Sequence, residues 1–313
     1  MIHDTLFVGI DVSKTHLDVH THPAGKSWRC STGPEALAEL TQRLARLGPL
    51  AIGLEASGGY EARVAESLHA AGLEVHVLAP ARIRSYARGI GQLAKTDKID
   101  AALIARYLQA VRASLTPYVS DPIRQRLSAF TAHRRRIVAE KSGLVSQLDT
   151  IDEPLVRSLI EERLAAIALE IKRIEAAITA LLADNRQLQQ RQARLRQVTG
   201  VGPVLAIALL ADMPELGKVS AKVAAALIGV APYARQSGAS DRNGRCLGGR
   251  KHLRDIAYMA VLSAIKVKDP VLGDFYQRLR LRGKPFKLAM IATVRKLITI
   301  LNAIARQEPA FQQ

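Results

Sequence analysis

Four carboxylates, Asp11, Glu55, Asp97 and Asp100, occur in sequence settings suited to holding a metal ion. Asp11 closes the short apolar run Thr5-Leu6-Phe7-Val8-Gly9-Ile10, and Glu55 closes Leu50-Ala51-Ile52-Gly53-Leu54. Short apolar runs of this kind read as buried strands, and strand ends are where α/β sheets place their ligands. Asp97 and Asp100 are three residues apart, the spacing that puts two side chains on one helical face. Thr96, just before them, is a residue type that caps helix N-termini. Hard carboxylate oxygens suit Mg²⁺ or Mn²⁺, and two such ions about 4 Å apart can clamp the attacking and leaving oxygens of a phosphodiester. Each acid alone has a plainer explanation: Asp11 can cap a turn, and Asp97 and Asp100 can answer the helix dipole. As a set they carry more, because Glu55 faces the break Gly58-Gly59 rather than a basic partner.

The elements that would position these acids follow from periodicity. After the strand ending at Asp11, the stretch from Thr15 to His20 alternates like a second strand, and Trp28 to Ser31 reads as a third. A helix is expected over Glu35 to Leu47, a strand over Leu50 to Leu54, a helix over Tyr60 to Ala71 and a strand over Val75 to Leu78. A three-strand meander followed by alternating helices and strands makes an α/β layer architecture. A helix from Asp97 to about Val111 follows. The middle of the chain changes character. Ile160, Leu164, Ile167, Ile171, Ile174, Ile178 and Leu181 keep a 4-3 spacing, and Ile123 to Leu148 carries a looser version before a turn at Asp149 to Pro154. This predicts a long helical hairpin or coiled coil that dimerises, the other reading being an amphipathic pair packed on its own domain.

Further on, Val198-Thr199-Gly200-Val201-Gly202-Pro203 opens an apolar helix through Ala211. Such a Gly-x-Gly turn can offer backbone N–H groups to a phosphate or be a plain tight turn. A helix over residues 219–230, a polar loop from Ala231 to Gly249, and two basic helices at Lys251 to Lys266 and Lys287 to Arg306 complete the chain.

Bulk properties narrow the class. The 313 residues carry a net charge of +17, and residues 196–313 hold 19 Lys and Arg against seven Asp and Glu. Polyanions are the natural partners of such a surface. No run approaches the roughly 18 uninterrupted apolar residues of a membrane span, and no basic, apolar leader opens the sequence. Cys30 and Cys246 lack metal-ligand spacing, so no structural zinc is expected, and so sparse a cysteine usage suits a cytoplasmic protein, in the bacterial cytoplasm or nucleoid.

Val8-Gly9-Ile10-Asp11-Val12-Ser13-Lys14, Leu54-Glu55-Ala56-Ser57-Gly58-Gly59-Tyr60 and Lys95-Thr96-Asp97-Lys98-Ile99-Asp100-Ala101 resemble the DEDD transposases of insertion-sequence (IS) family 110. The resemblance continues through Gly229-Val230-Ala231-Pro232, Gln236-Ser237-Gly238 and Gly249-Arg250-Lys251-His252-Leu253-Arg254, similar to that family's C-terminal domain, and through Gly283-Lys284 and Arg295-Lys296-Leu297. It implies three parts. Residues 1–115 would be an RNase H-like, specifically RuvC-like, catalytic domain, residues 116–195 a coiled-coil helical connector, and residues 196–313 an all-α transposase domain. It further implies Mg²⁺ or Mn²⁺ on Asp11, Glu55, Asp97 and Asp100, and Ser237 as a nucleophile that links covalently to DNA and frees a 3′ hydroxyl. The partners it implies are element and target DNA, a structured noncoding guide RNA and further copies of the chain as a dimer or tetramer, with no membrane.

On residue type alone Ser237 is a polar-loop hydroxyl, with Ser240 the nearby alternative; the stretch Asp241-Arg242-Asn243 departs from the family pattern. Arg245, Arg250, Lys251 and Arg254 beside it are expected to position backbone phosphates, their plainer role being solvated charge. Two related activities share these features: site-specific DNA inversion of the Piv type, and junction cleavage by a RuvC-like nuclease that uses water.

Overall fold

The structure is a computed structural model that describes residues 5–56, 58–92, 97–237 and 240–306. Thr96 lies outside the described residues, as do the side chains of Asp97, Ser237, Ser240 and Arg245. The chain divides into two compact units, residues 1–120 and 121–313.

The first unit is built on a mixed five-stranded sheet: β1 (Leu6–Val12), β2 (His16–His22), β3 (Ser27–Ser31), β4 (Leu50–Glu55) and β5 (Glu74–Leu78), in the order β3-β2-β1-β4-β5. The β1–β3 meander is antiparallel, while β4 pairs parallel to both β1 and β5. Helices α1 (Pro34–Ala45) and α2 (Tyr60–Ala70) cover one face. There Val8, Ile10, Leu17, Val19, Ile52 and Leu54 pack with Leu40 and Leu44 of α1 and Val64 and Leu68 of α2. Helices α3 (Pro80–Gly89) and α4 (Asp97–Val111) serve the other face, where Ile104 and Leu108 of α4 pack with Ala51 and Leu78.

Helix α4 lies directly on the strands because they carry no side chain beneath it. Gly9 and Gly53 are paired across β1 and β4. A Cβ on Gly9 would run into the Ala101 carbonyl and the Ala105 amide, and one on Gly53 would meet Ile104 at 3.1 Å. Overpacking against backbone leaves nothing flexible to yield, so Gly9→Ala is expected to destabilise the unit by about 3 kcal/mol. Urea unfolding checks this, and a variant within about 0.5 kcal/mol of the parent would show that α4 is not seated as described.

The end of the unit is pinned by polar bonds. Arg112 donates to both oxygens of Glu74, at 2.8 and 2.7 Å, and this hydrogen-bonded fork holds the Glu74 carboxyl at a pKa of about 2. Tyr118 and Ser120 donate to Glu66 at 2.9 and 2.7 Å, and the Tyr118 amide to the Val75 carbonyl.

The second unit starts with a helical hairpin, α5 (Pro122–Leu148) and α6 (Pro154–Ala183). Asp121 caps α5 by accepting from the Arg124 amide, with Pro122 in the first turn. The pairs His133–Glu170, Arg134–Glu175 and Arg163–Glu140 fix an antiparallel register. The regular seam of α6 is consumed inside the chain: Ile160, Ile167, Ile178 and Leu181 are buried. A second apolar stripe, Leu155, Leu159, Ala166 and Leu169, interrupted by Glu162, stays exposed.

Helices α7 (Arg186–Leu195), α8 (Pro203–Asp212), α9 (Ala221–Leu227), α10 (Lys251–Lys266), α11 (Leu272–Leu281) and α12 (Phe286–Arg306) complete the unit with a hairpin of β6 (Pro232–Ser237) and β7 (Ser240–Cys246). Leu205, Leu209, Val261, Leu297 and Leu301 are central to the core. By length and hydropathy α12 could cross a membrane, but half of its apolar stretch is buried here, with Met290, Val294, Leu297 and Ile298 fully so. The Gly-x-Gly turn before α8 is committed to packing: Gly200, with a φ of 85° that favours glycine, sits against the Ala260 carbonyl of α10. One expectation is corrected. Residues 231–249 are not a plain loop but carry the two-stranded hairpin, with Ser237 the last residue of β6 and paired with Ser240.

Candidate functional site

Register and helix direction bring the described acids to one place. Ile10 of β1 pairs with Leu54 of β4 in parallel, so Asp11 and Glu55 are the next step outward on adjacent strands. Paired residues share a sheet face, and Asp11 and Glu55 are each two residues beyond the paired glycines under α4. They therefore lie on the α4 face. That helix runs against β1: Gln109 bonds His22, the partner of Phe7 at the start of the strand, while Ala101 lies at Gly9. The first turn of α4, with Asp97 and Asp100, thus lies towards the strand end that carries Asp11. Its positive dipole end faces this gathering of carboxylates.

Asp11, Glu55 and Asp100 are all half-buried, and each already has an interaction with the protein. Among the described residues, which leave out the Asp97 side chain, no three acids, histidines or cysteines converge tightly enough to hold a metal ion. The donor chemistry is all carboxylate, which fits Mg²⁺ or Mn²⁺ and not a thiophilic ion.

One member of this face had no distinguishing signal in the sequence. Asp18 of β2 is directly paired with Asp11 and only 4% exposed. Arg29 of β3 holds it through Nε and Nη2 at 2.9 and 2.8 Å, and His16 Nε2 lies 3.5 Å from it. Only the alternation of β2 marked Asp18, as a polar-face residue.

In the second unit Ser237 stands at the far end of β6 from Pro232. The basic residues beside the hairpin divide by partner. Arg250 forks onto Glu215 at 2.6 and 3.1 Å, and Arg254 donates through Nη1 to the Ile228, Gly229 and Gly248 carbonyls, tying the two feet of the hairpin to α10. Lys251, well exposed, pairs with its helix neighbour Asp255 at 2.6 Å. A groove of about 1150 Å³ runs beside it, lined by Arg134, Arg135, Arg196, His252, Ile256 and Met259 among others. His252 is held there through Nε2 on Asp212, which also accepts from Ser128.

These units define a two-part class: an α/β layer with carboxylates gathered at one sheet end, joined in sequence to a strongly basic helical unit. Comparison with known proteins gives that class a family. Residues 8–151 match a DEDD transposase model of IS110 type, and residues 192–277 match the transposase family IS116/IS110/IS902. The chain belongs to the IS110 transposase family, a family of DNA-modifying enzymes, and DNA is its partner. It is 27% identical to the pilin gene-inverting protein of Moraxella lacunata over 98% of both chains, and equally to that of Moraxella bovis. A protein of insertion element IS110 from Streptomyces coelicolor is 27% identical over 53% of this chain and 40% of its own length.

Proposed function

We propose that the chain is a recombinase that cuts and rejoins DNA strands with divalent metal on Asp11, Glu55, Asp97 and Asp100 and with Ser237 as nucleophile. The observation that carries this reading is the gathering of Asp11, Glu55 and the first turn of α4 at one end of one sheet face. A meander extended by two parallel strands, with acids at the strand ends, supports reading the first unit as RNase H-like and specifically RuvC-like. Divalent metal bound there would polarise phosphate oxygens and neutralise charge built up in the transition state. Ser237 Oγ attacks phosphorus, the Oγ–P bond forms, the P–O3′ bond breaks, and the serine proton leaves as the 3′ oxygen gains one. A 3′ hydroxyl of the partner strand then reverses these steps, so the phosphodiester energy is conserved for rejoining. Lys251 and Arg245 are the cations we assign to backbone phosphates. A structured RNA that selects the DNA fits the charge of residues 196–313.

The test is incubation of the protein with DNA carrying candidate element ends and the flanking transcript. A protein–DNA adduct resistant to denaturant is expected with Mg²⁺ and not with chelator. An adduct that forms equally well in chelator refutes the metal assignment.

Inversion is the second reading, favoured by the end-to-end match to two proteins named for inverting a pilin gene. Substrates with inverted sites on one molecule, compared with separate ends, separate the two. Strand exchange also calls for more than one copy of the chain, and the exposed stripe on α6 is our candidate contact. Leu155→Glu with Leu169→Glu is expected to shift the protein to a smaller species in sedimentation without lowering its thermal midpoint; an unchanged species rules the stripe out.

A further inference from the structure

Four charged residues form one transverse row across four strands. Arg29 pairs with Asp18, Asp18 with Asp11, and Asp11 stands beside Glu55. Directly paired residues share a face with Cβ atoms about 5 Å apart, so three carboxylates in a row would repel one another strongly. At Asp18 the repulsion is answered: its side chain is 6% exposed and both its oxygens are taken by Arg29. The Arg29 side chain is itself 51% exposed, on the edge strand of the sheet. Asp18 would be an expensive choice if the pair served only to close a polar face, because the cost of burying its carboxylate offsets most of what the half-exposed Arg29 returns. What the pair does provide is a guanidinium fixed in orientation beside the acids.

The geometry points to Arg29 as a phosphate-binding residue of the acid site, with Asp18 as the positioning residue that aims it. Two strand spacings of about 4.8 Å put Arg29 roughly 10 Å from Asp11 along the row. An arginine set that far along the row can hold a phosphodiester flanking the one at the metal-bearing acids. The ligand class is the backbone of a nucleic-acid strand, since a planar guanidinium recognises phosphate oxygens whatever the base. This inference rests on the metal-site reading above.

The experiment uses the full chain and a labelled duplex bearing the element end, in three measurements: Mn²⁺ titration by calorimetry without DNA, duplex binding in Ca²⁺ across a salt series, and single-turnover cleavage in Mg²⁺. Arg29→Gln is expected to leave Mn²⁺ affinity within about twofold and to reduce the slope of log K against log salt by about one, the signature of one lost phosphate contact. Cleavage is expected to fall about tenfold or more. Arg29→Lys should keep the salt slope and still lose cleavage, because a lysine cannot hold the fork to Asp18. It also carries the test if Arg29→Gln does not fold. Asp18→Asn should behave like Arg29→Lys. Unchanged salt slope and cleavage in Arg29→Gln, with only a lowered thermal midpoint, would make the pair structural and overturn the proposal. Failure of the underlying metal reading has a different mark: Mn²⁺ binding that Glu55→Gln leaves untouched.

Discussion

Glu55→Gln is expected to lower Mg²⁺-dependent strand cleavage by about a thousandfold, roughly 4 kcal/mol of transition-state stabilisation, while the protein stays folded. The separation of effects follows from position. Glu55 is the last residue of β4, beyond fully buried Leu54, so the core of the first unit ends one residue before it. Its own side chain is half-buried, and glutamine reproduces its shape. What glutamine lacks is the charge that a hard divalent ion requires. Asp11→Asn should match it in activity and cost somewhat more stability, because Asp11 lies inside β1 and opposite Asp18. Single-turnover cleavage and thermal unfolding on the same preparations check both. A folded Glu55→Gln protein that cleaves within threefold of the parent would remove the acid from the chemistry.

The parts of the fold that were legible are those whose burial has a period. β1 and β4 were marked by unbroken apolar runs, α4 by its Asp97 start, and α6 by a heptad rhythm. What stayed hidden lacked that contrast. α7, Arg186–Leu195, has only Leu195 buried, and its inner side offers just Leu188 and Leu195 as apolar markers in a mostly polar sequence. The β6–β7 hairpin is held by backbone pairing, and its sequence, from Tyr233 to Cys246, has no apolar alternation to betray a strand. The α6 seam shows a different limit: spacing announces that a helix face is buried, and it cannot say whether the partner is another chain or the neighbouring helix α5. Here the neighbour took it.

The site was legible in its acids and opaque in its pairing. Asp11 and Glu55 could be placed at strand ends, yet only the register shows that Asp18 stands opposite Asp11. Arg250 and Arg254 illustrate the same gap. Sequence proximity to the hairpin suggested phosphate contacts for both, and the fold adds what the sequence did not show: Arg250 also holds Glu215, and Arg254 also holds three backbone carbonyls. Beyond a single helical turn, sequence distance does not say which carboxylate a guanidinium will meet. Arg254 also ties the base of the hairpin together, since it bonds both the segment entering β6 and the segment leaving β7.

Ser237→Ala is expected to abolish the covalent protein–DNA adduct and to reduce strand exchange to background, at least a thousandfold, with metal binding unaffected. The case rests on what a serine must have to act as nucleophile. It needs reach, and Ser237 is the last residue of β6, about five residues or roughly 17 Å of strand from Pro232 at its start. It needs activation, since a free hydroxyl is a poor nucleophile at neutral pH. The carboxylate-rich end of the first unit would supply that through bound metal. Ser240 is the demanding control, because it is the cross-strand partner of Ser237 and shares its hairpin and its chemistry. Ser240→Ala should keep adduct formation within about threefold. A reversal, with the adduct lost in Ser240→Ala and kept in Ser237→Ala, would move the nucleophile three residues along the chain and leave the metal reading intact. If Ser237→Ala instead still cuts DNA and releases free 5′ phosphates, water is the nucleophile. The protein would then work as a metal nuclease, since no serine–phosphate bond would hold the energy that rejoining requires.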